Sequence, residues 1–301
     1  MATTARRKPK NWIFFDKYTY YIPGVADMFI LLVWLLVGAL LGNVLTLILA
    51  AVGGQEFATT YGMMIAYPLQ FIPAMIYASV KSRACSFNSD GIKLNSGHFG
   101  NAGGLCCAIL AALATLTLAF CSDAINSRMP EMPEYLKALL ESLTGGPIWV
   151  SLISVSVFAP LFEEWLCRGT VLRGLLGKGI KPVWAIIISA AFFAVIHLNP
   201  WQAVPAFLLG CLFGYVYYRT GSLLLTMLMH SVNNAFAVLC SNIDSLSEME
   251  SWLDVLPGKT YWLLFAAFVL LLILIVRVFE RIPLADGKGN CDKVPSIFEQ
   301  Q

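Results

Sequence analysis

The sequence predicts an all-α fold, a polytopic membrane bundle of about eight transmembrane helices, and three observations carry that prediction. Hydrophobic residues make up 58% of the 301-residue chain and charged residues 13%, with a mean hydropathy of +0.72, far from the averages of soluble domains. Apolar runs long enough to span a hydrocarbon core of roughly 30 Å recur along the whole chain. Their separators are too short to hold a second, soluble domain, so residues 1–301 read as one integral membrane domain with tails at 1–20 and 283–301.

The runs follow in order. Asp27 to Ala51 is a full span; Asp16, Lys17 and Asp27 interrupt the earlier sequence, so no cleavable signal peptide is expected. Tyr61 to Val80 and Gly103 to Cys121 follow, separated by a stretch from Ser82 to Asn101 whose Ser, Asn and Gly content predicts an irregular or mobile loop. Between Pro130 and Leu143, apolar Tyr135, Leu136, Leu139, Leu140 and Leu143 alternate with charges as in a short amphipathic helix on the membrane surface. Pro147 to Leu176, Val183 to Leu198, Gln202 to Tyr218, Ser222 to Cys240 and Thr260 to Val276 complete the set. Trp201, after Pro200, fits an interfacial anchor.

Basic residues set the expected orientation, because Lys and Arg accumulate in short cytoplasmic segments. With the N-terminus inside, the cytoplasmic segments collect Arg6, Arg7, Lys8, Lys10 and Lys17, then Lys81, Arg83 and Lys93. Arg168, Arg173, Lys178, Lys181 and Arg219 follow, and Arg277, Arg281, Lys288 and Lys293 end the series. The outer segments hold only Arg128, Lys137 and Lys259 among many acidic residues. Both termini are therefore predicted to be cytoplasmic, in a multi-pass protein of the cell membrane. The basic N-terminus reads as a topology signal or lipid contact, with the bilayer as partner and no nucleic acid. Oligomeric state has no signature here. The 8 cysteines, with Cys106, Cys107, Cys211 and Cys240 inside spans, read as small apolar packing residues.

Ionisable groups at bilayer depth are expensive and normally mark a site. Glu163, Glu164 and Arg168 lie inside the Pro147 to Leu176 run. On a helix, Glu164 and Arg168 share a face and can pair, whereas Glu163 is displaced by about 100° and is left free to act as a base. Pro160 removes a backbone donor beside the pair and predicts a kink. The chain has only 3 histidines, and His197 and His230 both fall inside predicted spans. His230 and Asn234 share a helix face and can both donate into one cavity; Asn233 beside them suits interhelical bonding. Counting from the cytoplasmic ends places all these groups roughly 12 to 21 Å deep, where they can meet. The plain alternative is an ion-pair network that only holds helices together. Another is a proton or ion pathway, which the lack of an internal repeat disfavours.

Three ordered motifs then carry a resemblance. Glu163-Glu164-Trp165-Leu166-Cys167-Arg168 fits Glu-Glu-x-x-x-Arg, Phe193 to His197 fits Phe-x-x-x-His, and His230 to Asn234 fits His-x-x-x-Asn. In this order and in successive spans they resemble the CPBP (Abi) family of CAAX proteases and bacteriocin-processing enzymes, which includes the type II CAAX prenyl endopeptidases. The resemblance implies that residues 147–240 form the catalytic core of an intramembrane endopeptidase, whose partner is a peptide or protein substrate in the membrane. It implies that Glu163 and His197 activate a water, that His230 and Asn234 stabilise the oxyanion, and that Glu164, Arg168 and Phe193 support the site. It also implies metal-free catalysis without a cofactor. One Glu and two His could form a dispersed zinc site, but the helical His-Glu-x-x-His pattern is absent, because His98, His197 and His230 are followed by Phe, Leu and Ser. A noncatalytic immunity or scaffold protein of the same fold is the alternative from another class.

Overall fold

A computed structural model describes residues 15–88, 91–138, 146–247, 249 and 251–284. These form helices α1 (Val25–Gly53), α2 (Gln55–Cys85), α3 (Gly104–Asn126), α4 (Ile148–Gly177), α5 (Pro182–Val195), α6 (Pro200–Thr220), α7 (Leu223–Ser241) and α8 (Gly258–Glu280), with no strand among them. The all-α bundle expected from composition is the fold observed.

Helices α1, α2, α3, α4, α7 and α8 are long and apolar enough to cross a membrane, so the expected count of eight is not reached on those criteria. The reasons are physical. Helix α5 has 14 residues, about 21 Å at 1.5 Å per residue, short of a full crossing. Helix α6 is long enough, but Gln202, Pro205, Arg219 and its tyrosines dilute its hydropathy. Outward-facing Phe29, Leu40, Leu47, Val52 and Leu263 are each at least 66% exposed, a density of apolar surface that suits lipid.

Helix α4 is the axis of the bundle, touched by α2, α5 and α7. Trp165, Leu166, Cys167, Val171 and Leu172 are fully buried in one core with Phe71, Ile186, Phe192 and Phe193. A second core joins α3, α6, α7 and α8 through Ala111, Phe213, Met229, Ile275 and Phe279. Helix α1 braces α2 through a small-residue seam. At Gly38 a β-carbon would lie 1.9 Å from the Gln70 carbonyl oxygen, so only glycine permits this approach.

The loop after α2 is irregular, as expected, but it is fastened. Ser96 and His98 donate backbone N–H groups to Gly221 O and Thr220 O at 2.8 and 2.7 Å, and Tyr217 Oη donates to Leu94 O at 2.7 Å. The amphipathic segment is helical over residues 134–138, and its residues 139–143 lie outside the described ones, as do residues 1–14 and 285–301 of the tails. Trp201 Nε1 donates to Pro130 O at 2.7 Å, tying the start of α6 to that segment. The described cysteines are free thiols.

Three arginines assigned by the sequence to cytoplasmic ends are buried. Arg168 belongs to the site below. Arg219 donates to the carbonyls of Phe279, Glu280 and Ile282, closing the C-terminus of α8. Arg173 is 3% exposed and donates from Nε to Gly169 O at 2.6 Å, from Nη1 to Ile92 O at 2.8 Å and Thr19 O at 3.2 Å, and from Nη2 to Tyr21 O at 2.5 Å and Tyr18 O at 3.3 Å. One guanidinium thus binds the segment before α1, the loop after α2 and α4. Charged hydrogen bonds are worth about 1.5–3 kcal/mol each, and stranded carbonyls add to their loss. Arg173→Ala is expected to destabilise the fold by at least about 3 kcal/mol and to free the 15–24 segment for proteolysis. Thermal unfolding in detergent with limited proteolysis measures both; an unchanged midpoint would refute the clasp.

Candidate active site

The site is built on an irregularity in α4. Ser154–Phe158 and Trp165–Leu172 are π-helical, and the α-helical turn between them, Ala159–Glu164, carries both carboxylates. Pro160 accounts for the first widening, because its ring cannot donate to the carbonyl of Ser156 and crowds it. The expected kink is therefore a change of helical pitch. Asn234 Nδ2 donates at 2.6 Å to Val155 O, a carbonyl in the widened turn, and Asn233 Nδ2 donates to Asn234 Oδ1 at 3.1 Å.

Arg168 and Glu164 form the i, i+4 pair that their spacing predicts, with Nη1 to Oε1 at 2.8 Å and both side chains fully buried. Arg168 also donates from Nη2 to Gly210 O at 2.9 Å, and its guanidinium lies 4.6 and 5.4 Å from the ring centroids of Phe193 and Phe213. Gly210 lets α6 come this close: a β-carbon there would sit 3.1 Å from Ala190 Cβ and 3.2 Å from Arg168 Nη2.

His230 joins what the helical wheel separated. Its Nδ1 is 3.1 Å from Glu164 Oε1, and its Nε2 is 3.9 Å from Glu163 Oε2. The two glutamates, expected to point apart, straddle one imidazole. A carboxylate only accepts, so Nδ1 carries a proton toward Glu164 and Nε2 is the nitrogen presented to Glu163. Arg168, Glu164 and His230 form a continuous buried relay of hydrogen bonds, and Glu163 lies 3.9 Å beyond its end. Glu163 is more open, with 12% of its side chain exposed. Its Oε1 accepts a hydrogen bond from Tyr67 Oη of α2, while its Oε2 is buried without a hydrogen-bonding partner among the described residues.

His197 lies beyond the end of α5, where the sequence placed it inside a span. The helix closes at Ile196, and Leu198 turns the chain with φ +52°, a conformation costly for a β-carbon residue. His197 Nδ1 is 2.7 Å from Phe193 O. That carbonyl also only accepts, so the Nδ1 hydrogen is directed to it and Nε2 is the nitrogen left for other partners. Phe193 stands edge-on between the histidines, 4.9 Å from the His197 ring and 5.5 Å from His230. The structure thus brings Glu163, Glu164, Arg168, His230 and Phe193 into one network. His197 joins it through Phe193, and Asn234 joins it through the backbone of α4. Tyr67 and Phe213 were missed, and no local pattern marks either.

This architecture defines a class: a multi-pass helical membrane protein with a buried glutamate, histidine and arginine network on a π-bulged central helix. Residues 145–236 match the model of the type II CAAX prenyl endopeptidase Rce1-like family, in agreement with the family that the three motifs resemble. That family is a protease family. No curated protein and no solved structure matches the chain.

Proposed function

We propose that the chain is an intramembrane endopeptidase that hydrolyses a peptide bond of a membrane-associated peptide or protein. The observation that carries this reading is His230 held between Glu164 at Nδ1 and Glu163 at Nε2, an arrangement that leaves Glu163 Oε2 free. In the proposed step Glu163 takes a proton from water as the water oxygen bonds to the peptide carbonyl carbon. The carbonyl electron pair moves onto oxygen, where an Nε2–H of His230, present when the ring carries protons on both nitrogens, and the second amide hydrogen of Asn234 stabilise it. Collapse re-forms the carbonyl, breaks the C–N bond and transfers the proton from Glu163 to the departing amine. His197 Nε2 is the second base within the site. Glu164 and Arg168 orient His230, and Phe193 separates the two imidazoles. Both termini lie on the cytoplasmic side of the cell membrane in this reading.

Metal-free catalysis is part of the proposal. Two carboxylate oxygens already have hydrogen-bonding duties that compete with a cation: Tyr67 Oη donates to Glu163 Oε1, and Arg168 and His230 share Glu164 Oε1. No group of three or more His, Cys, Asp or Glu is placed to hold a metal among the described residues.

The test uses purified protein in nanodiscs and internally quenched peptides, one ending in a farnesylated Cys-aliphatic-aliphatic-X tail and one identical without lipid. Cleavage of either that survives exhaustive chelation is expected. Activity that returns only with added zinc would overturn the metal-free mechanism, and no cleavage of either probe would overturn this substrate class.

A further inference from the structure

We infer that Tyr67, on a helix outside the 145–236 segment, is a positioning residue for Glu163. It fixes Oε1 and thereby assigns Oε2 as the oxygen that takes the proton from water. The inference deepens the endopeptidase reading and rests on it for the role of Glu163.

The contact is direct, from Tyr67 Oη to Glu163 Oε1. It is also built, because the surrounding rings lock α2 against the turn that carries the carboxylate. Tyr67 lies 5.5 Å from Phe71 one turn further on, and Phe71, 1% exposed, stacks on Phe162 at 5.4 Å with a 16° interplanar angle. Phe162 is the residue before Glu163, so the stack and the hydrogen bond hold the same turn from two sides. Helix α2 carries Pro68 and Pro73 here, each of which removes a backbone donor, and the Gly38 contact fixes α1 against Gln70 between them. The hairpin of α1 and α2 therefore places one hydroxyl, and that hydroxyl meets the carboxylate proposed as base.

The consequence is a division between the two oxygens. A glutamate side chain has three rotatable bonds, and an unanchored one samples rotamers in which neither oxygen faces His230. With Oε1 held by a phenol, Oε2 is presented 3.9 Å from His230 Nε2. Tyr67 neither gives up nor receives a proton overall; it acts through Glu163. Errors of about 1 Å in such a group cost on the order of 10²-fold in rate.

Two measurements on the full chain in nanodiscs test this, and they separate its failure from that of the endopeptidase reading. The first is turnover of the two quenched peptides by wild type, Tyr67→Phe and Tyr67→Leu. Tyr67→Phe keeps the aromatic stack and removes only the hydroxyl, so kcat is expected to fall by about 10²-fold with KM unchanged. Retained kcat in Tyr67→Phe would overturn the assignment. The second is a double-mutant cycle on the thermal unfolding midpoint with Glu163→Ala, which needs no activity. Tyr67→Phe is expected to lower the midpoint in wild type and leave it unchanged in the Glu163→Ala background. Additive shifts would overturn the contact. If wild type cleaves neither peptide, the substrate reading fails and the cycle alone decides: coupling supports Tyr67 as the anchor of Glu163, and additivity refutes it.

Discussion

Glu163→Gln is expected to lower kcat for the quenched peptides by about 10²–10⁴-fold, the usual worth of a positioned general base, without lowering the unfolding midpoint. Glutamine keeps the shape of the side chain and an oxygen that accepts from Tyr67, but its amide nitrogen takes no proton from water. Glu164→Gln is expected to show the opposite balance. Glu164 is fully buried and its Oε1 serves both Arg168 Nη1 at 2.8 Å and His230 Nδ1 at 3.1 Å. A neutral amide there leaves the Arg168 guanidinium buried without a counter-charge, so the midpoint falls sharply and activity falls with the folded fraction. Per folded molecule, the Glu164→Gln rate is reduced through misorientation of His230 and is not abolished. Equal loss of stability in both variants would show that the adjacent carboxylates serve one structural network together, and would remove the basis for assigning the base to Glu163.

The parts of this arrangement legible in the sequence are those that follow from spacing on one helix. Glu164 and Arg168 pair because residues four apart stack on one face, and that holds through the π-helical stretch that begins at Trp165. Apolar runs located every principal helix, since length and composition alone decide whether a segment can lie in lipid. Contacts between distant segments left no such trace. Tyr67 lies 96 residues before Glu163, and a tyrosine beside a proline in an apolar helix reads as lipid-facing or packing. The approach of His230 to Glu164, 66 residues apart, depends on how α7 leans on α4.

Where the sequence misled, it did so through boundaries. His197 was expected inside a helix because Val195, Ile196 and Leu198 extend the apolar run, but α5 stops at Val195 and the Nδ1 of His197 takes the Phe193 carbonyl. Arg173 and Arg219 count with the cytoplasmic charges because the ends of spans collect arginine, and the positive-inside rule does not distinguish a solvated guanidinium from one surrounded by carbonyls. The turn-to-turn change of pitch in α4 was foreshadowed only by Pro160. That change gives Asn234 a carbonyl to hold at Val155, so a residue assigned from its motif to the oxyanion already spends one donor on the scaffold. Asn234 carries a second amide hydrogen, and the proposed oxyanion contact uses that one.

Arg168→Met is expected to cost about 3–5 kcal/mol, the penalty for removing one partner of a fully buried ion pair. The guanidinium does three things at once: it meets Glu164 at 2.8 Å and Gly210 O at 2.9 Å, and it lies 4.6 Å from the Phe193 ring centroid. Methionine fills much of the volume but leaves Glu164 charged and buried. Arg168→Lys restores the charge, yet one compact ammonium does not reproduce a planar fork that reaches α6 and stacks between two rings, so only partial recovery is expected. The decisive comparison is the double variant Arg168→Met with Glu164→Leu. With no charge left to desolvate, it is expected to be more stable than Arg168→Met alone. It should nevertheless lose most turnover, because His230 Nδ1 no longer has the carboxylate that holds the ring and aims Nε2 at the site. Unfolding midpoints and kcat for the four proteins separate the two roles. If the double variant regained both stability and rate, the relay from Arg168 to His230 would be scaffolding alone, and Glu163 would need no oriented imidazole.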